Sequence, residues 1–128
     1  MALEEKRRFL LDMEQQRGYT LDLTRTMLAT DFDWVKAFDT FAVATYSGQR
    51  TLGRKTKELL QTVVFAALRA DVGPIQNHVE LALKEVATPQ EVLEALETVV
   101  LPMGLMAFGR GIQTWAAAVG IEPIEPVD

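Results

Sequence analysis

A chain of 128 residues, 48% hydrophobic and 24% charged, favours one globular domain over a disordered segment. Its 18 acidic and 13 basic residues give a net charge of −5, which argues against nucleic acid or an anionic membrane as partner, since either needs a clustered basic patch. With no cysteine and one histidine, disulfides, thiolate catalysis and iron–sulfur clusters are excluded and a zinc site is disfavoured.

Residues 3 to 17 read as a charged amphipathic helix. Glu4 and Glu5 lie in its first turn, Arg17 in its last, and Gly18 follows as the stop. No long apolar run follows the opening M-A-L-E-E-K-R-R, so no secretory signal is expected and the cytoplasm is the default location. A shorter helix over 21 to 29 would carry Leu21, Leu28 and Met27 inward. Thr30 or Asp31 then caps a third helix running to Tyr46. In it Trp34, Phe38, Phe41 and Thr45 recur at helical spacing and share one face, which is expected to be core. Ser47-Gly48-Gln49-Arg50 makes a polar loop.

A fourth helix starts at Gly53 or Arg54 and runs to about Ala70. From Leu59 to Leu68 only Gln61 and Thr62 are polar, so a central helix covered on most sides is expected. Asp71-Val72-Gly73-Pro74 breaks it. A fifth helix opens at Pro74, with Ile75, Val79, Ala82 and Val86 on one face and His78, Leu81 and Glu85 on the adjoining one. Thr88-Pro89-Gln90-Glu91 carries a capping box that starts a sixth helix, ending before Pro102.

Met103 to Val119 forms the last helix, with two stripes. Gly104, Ala107, Gly111, Thr114 and Ala118 are small and allow close approach of another helix. Leu105, Phe108, Ile112, Trp115 and Val119 are bulky and fill a core. Glycines at 104, 109 and 111 imply tight packing or room for a ligand, because each costs about 1 kcal/mol against alanine. The longer stretch from Val99 to Ile121 is not read as a membrane span. Arg110 near its centre would cost about 2.5–3.5 kcal/mol in a lone span. The residues after it, E-P-I-E-P-V-D, are extended. The class is therefore all-α, with six or seven helices and no hairpin signal.

Two groups stand out chemically. His78 is the one side chain that ordinarily titrates near neutrality, suited to a base or proton shuttle, or else a core histidine held by a backbone carbonyl. Glu58 stands where a charged helix start becomes apolar, either as a first-turn charge or as a partly buried carboxylate. A bridge between them would let a proton pass within one apolar pocket. Arg54, one turn before Glu58, is a surface ion pair or a carboxylate clamp. Arg50 and Arg110 are equally possible clamps. Trp34, Tyr46 and Trp115 could wall a pocket or simply pack.

K-T-K-E-L-L before an Ala/Val-rich helix, then N-H-V-E-L-A-L, then A-T-P-Q-E-V-L-E-A-L, resembles the carboxymuconolactone decarboxylase family, which includes the alkylhydroperoxidase D-like proteins. The resemblance spans roughly residues 30 to 119. It implies one domain over 1–128: a helical arm 1–29, a family core 30–119 and an extended tail 120–128. In the peroxidase branch a Glu, a C-x-x-C pair and a His form a proton relay. Glu58 and His78 match the Glu and His, but the cysteine positions fall on Asp71 and Pro74, so peroxidase activity is not implied. The decarboxylase branch lacks the cysteines too. Resemblance to it implies a cofactor-free enzyme, assembled as a trimer or hexamer, that releases CO2 from a small carboxylated lactone in aromatic catabolism. His78 would then be proton donor and acceptor, assisted by Glu58, with no metal or cofactor. The alternative is a non-catalytic oligomer of the same fold that binds a small molecule or serves assembly.

Overall fold

The computed structural model describes residues 2–127. They form α1 (Ala2–Arg17), α2 (Asp22–Thr30), α3 (Phe32–Ala42), a π-helical turn (Val43–Ser47), α4 (Arg54–Ala67), α5 (Val72–Lys84), α6 (Pro89–Glu97), the single turn α7 (Val100–Met103) and α8 (Leu105–Val119). No strand occurs among the described residues, and no helix there is long and apolar enough to cross a membrane. The chain divides by contact into two compact units that meet between Arg50 and Thr51 in sequence.

The first unit is built on α1, α2 and α3. Met13, Leu28 and Val35 are buried together, with Phe9, Leu10, Met27 and Phe32 packed on them. Phe9 meets Phe32 edge-on at 5.3 Å between ring centres. Arg17, though charged, is buried and forms an ion pair with Asp39. Asp31 supplies the cap of α3, its carboxylate accepting the Trp34 N–H at 3.0 Å.

Two expectations for this unit fail. Leu21 is the extended residue just before α2, and it is exposed rather than inward. The aromatic stripe of α3 is exposed as well. Trp34, Phe38 and Phe41 remain 46%, 42% and 64% accessible, while Val35 is the buried residue of the helix. Periodicity shows which residues share a face, and here the core lies on the other one. The helix also stops being regular at Ala42. The Gly48 N–H reaches back five residues to the Val43 carbonyl at 2.8 Å, which closes the π turn.

The second unit centres on α4, α5, α6 and α8. Its core joins Ala66, Ile75, Val79, Ala82, Val92, Leu96 and Trp115. Thr88 begins α6 as its motif requires. Its Oγ1 accepts the Glu91 N–H at 3.0 Å, and Glu91 Oε1 accepts the Thr88 N–H at 3.1 Å. The Lys55 ammonium, 2.6 Å from Glu91 Oε2, together with the Thr88 amide, holds the Glu91 carboxyl below its ordinary value.

Of the two stripes on α8, the small one faces inward at Ala107, Gly111 and Thr114. A Cβ at Gly111 would sit 2.9 Å from Leu96 Cδ2 and 3.1 Å from the Ala66 Cβ, so a larger residue would have to displace Leu96 where α8 meets α4 and α6. Gly104 serves a different need. It lies before α8 at φ 87°, a conformation that L side chains rarely adopt. Gly109 would meet nothing within 4 Å, so the steric reading does not extend to it. Of the bulky stripe, Phe108, Ile112, Trp115 and Val119 join the core and Leu105 is exposed.

Both α4 and α5 end earlier than their apolar patterns suggest. After α5, the Ala87 N–H bonds the Ala82 carbonyl and Val86 takes φ 64°. That left-handed turn carries Val86 away from the Ile75–Val79–Ala82 face and leaves it 83% exposed. After α4, the Ala70 N–H bonds the Phe65 carbonyl and Arg69 takes φ 54°. Pro74 is the third residue of α5, not the first, and Asp71 is the residue before the helix. At that position an amide has no partner within the helix, so proline costs nothing there. One side of α4 is uncovered, contrary to expectation: Leu60, Val64 and Leu68 are exposed at four-residue spacing.

Candidate active site

Four residues of α4 fall on one face at spacings of four, four and three: Arg54, Glu58, Thr62 and Phe65. Two of them, Glu58 and Phe65, contact one side chain of α5, that of His78. Glu58 Oε2 lies 2.7 Å from His78 Nδ1, and Glu58 Oε1 accepts from Arg54 Nε at 2.7 Å. Glu58 is 0% exposed and His78 4% exposed. The ring of Phe65 stacks on the imidazole, 5.1 Å between centres and 14° from parallel. Thr62 Oγ1 donates to the Glu58 backbone carbonyl at 2.9 Å. Its hydroxyl is thereby spent within the helix, and the residue adds little polarity to the buried face.

The chemistry follows from this arrangement. A carboxylate that accepts from a guanidinium on one oxygen is held in its ionised form. Its other oxygen then accepts as well, so the proton of the 2.7 Å bond belongs to His78 Nδ1. Nε2 is therefore the acceptor nitrogen of the neutral ring. Burial removes competing water and strengthens each charge-assisted bond. A fixed tautomer, a buried counter-charge and an apolar ring wall together make a site that can give or take one proton.

The other sequence candidates make contacts of their own. Arg110 Nη1 donates to the Ala70 carbonyl at 2.8 Å and more weakly to that of Arg69, closing the turn after α4. Arg50 Nη1 donates to the Ala44 carbonyl at 3.0 Å in the first unit. Trp115 is buried and its Nε1–H reaches the Pro89 carbonyl at 2.9 Å, a packing use. Trp34 stacks on Phe38 at 5.3 Å and is exposed; Tyr46 is half-buried in the π turn. Of the three arginines, Arg54 is the one shown in contact with the Glu58–His78 pair. Sequence reasoning missed Phe65 and Thr62. The signal was present in their spacing from Glu58, but an apolar run hides which of its members faces the histidine. Among the described residues, no three of His, Asp and Glu gather as metal ligands.

The carboxymuconolactone decarboxylase family model matches residues 33–117. No curated protein sequence matches the chain. A crystal structure from Burkholderia xenovorans LB400, of a protein that carries the same family's name, superposes with a TM-score of 0.77. It is 18% identical, with 94% of this chain and 92% of that chain covered, a likeness that speaks for the fold.

Proposed function

We propose that this chain, which belongs to the carboxymuconolactone decarboxylase family, is a cofactor-free carboxy-lyase acting on a small carboxylated lactone of the 4-carboxymuconolactone type. The observation that carries the reading is the buried 2.7 Å contact between His78 Nδ1 and Glu58 Oε2. When the carboxylate leaves as CO2, the electron pair of the broken carbon–carbon bond passes into the conjugated lactone carbonyl. The resulting enolate must then gain a proton at carbon. His78, protonated at Nε2, supplies it, and Glu58 stabilises the imidazolium before the transfer. Arg54 keeps Glu58 ionised and adds positive charge where the substrate's carboxylate would sit. Phe65 and the apolar face of α4 exclude water, which favours loss of a carboxylate into a neutral gas.

The test is CO2 release by the purified protein from 4-carboxymuconolactone and related carboxylated lactones. Turnover of at least one of them, with no added metal or cofactor, is expected; inertness toward all of them contradicts the reading.

The same reading extends to assembly as a homo-oligomer, a trimer or hexamer. Its support is the two exposed apolar rows, Trp34–Phe38–Phe41 on α3 and Leu60–Val64–Leu68 on α4. Light scattering at micromolar concentration should give at least three times the mass of the chain, and a pure monomer would contradict it.

A further inference from the structure

The first unit carries a cavity that no step of the proposed reaction uses. It opens between α1 and α2, lies outside the family-matched residues 33–117, and has a volume of about 180 Å³. Leu3, Leu10 and Leu28 line it as apolar walls, and Lys6, Arg7 and Arg25 stand around them. On α1 this follows from spacing: residues 3, 6, 7 and 10 share one face, so Lys6 and Arg7 lie between two leucines along it.

Among the described residues Lys6 and Arg7 make no ion pair, and Arg25 makes a long 3.5 Å contact to Thr20 Oγ1. Three like charges held about one apolar hollow repel each other, and that cost is relieved by an anion.

We infer that this cavity binds a small monocarboxylate with a compact apolar body, of the size of one ring. The volume sets the size, since an apolar cavity of about 150 Å³ is enough to take benzene. The walls require an apolar body. The two guanidinium forks suit a carboxylate, which each can grip through two parallel bonds. Such a ligand would lay its body against Leu28 and turn its charge to Arg7 and Arg25, with Lys6 adding a point charge at the mouth.

The probe is benzoate, titrated into the full chain at low salt and followed by amide ¹H–¹⁵N shifts. Saturable shifts confined to residues 3–10 and 25–29 are expected, with a Kd at or below about 1 mM. Benzamide, the neutral isostere, should bind at least about tenfold more weakly. Arg7→Gln and Arg25→Gln should each cost about tenfold or more, the worth of a charge-assisted bond. Both residues are exposed, so both variants should fold as the parent does. Shifts that never saturate, a Kd unchanged in both variants, or saturation seen only around Arg54, Glu58 and His78 would each overturn the assignment. That last pattern would overturn it while leaving the proposed reaction untouched.

Discussion

Glu58→Ala should lower the unfolding free energy by about 3–5 kcal/mol, the cost of breaking a buried ion pair from one side. The side chain is fully buried and holds two partners at 2.7 Å each, Arg54 through Nε and His78 through Nδ1. Alanine removes the counter-charge but leaves the guanidinium, 19% accessible, and the imidazole, 5% accessible, against an apolar face. Desolvation that the carboxylate offset is then uncompensated. Against a typical total of about 5–15 kcal/mol, this is a large fraction. Glu58→Gln should recover only part of the loss, because its NH2 group must face one of two donors. Replacing Arg54, Glu58 and His78 together by leucine should restore most of it, since a well-packed apolar set often equals a buried ionic one. Urea unfolding reads all three. A shift under about 1 kcal/mol in Glu58→Ala would show that the pair contributes little to the fold.

His78→Asn separates chemistry from stability. The asparagine NH2 group reaches the position of Nδ1 and can still donate to Glu58, so the buried carboxylate keeps a partner. What disappears is Nε2, and with it the proton. We expect kcat for CO2 release to fall by about 10²–10⁴, the usual worth of a positioned acid–base group, with a smaller change in KM. Folding should suffer far less than in Glu58→Ala. Turnover by His78→Asn at the wild-type rate would remove the imidazole from the mechanism.

Local chemistry was legible in the sequence wherever the signal was itself local. Thr88 and Glu91 cap α6 through bonds between residues three apart, and Asp31 caps α3 in the same way. The meeting of Glu58 with His78 was also anticipated, because one carboxylate bordered the apolar run and one histidine followed its break. Three kinds of feature were not readable. The direction of the Trp34–Phe38–Phe41 face depends on which side of α3 packs on α1 and α2, and periodicity carries no information about that. The ends of α4 and α5 fall at Arg69 and Val86, which take the left-handed turn without the glycine that usually announces it. The burial of Arg17 required a carboxylate 22 residues away, Asp39, and nothing in the spacing pointed to it.

The account rests on His78 holding its proton at Nδ1, against a buried carboxylate, and exchanging it at Nε2. The imidazole ¹⁵N shifts, followed through a pH titration of the intact protein, read this directly. Nδ1 should remain protonated at every pH at which the protein is folded, with Nε2 alone gaining and losing the proton. In Glu58→Gln the preference for that tautomer should weaken. An imidazole found mainly with its proton on Nε2, or two nitrogens averaging as in a free histidine, would contradict the relay.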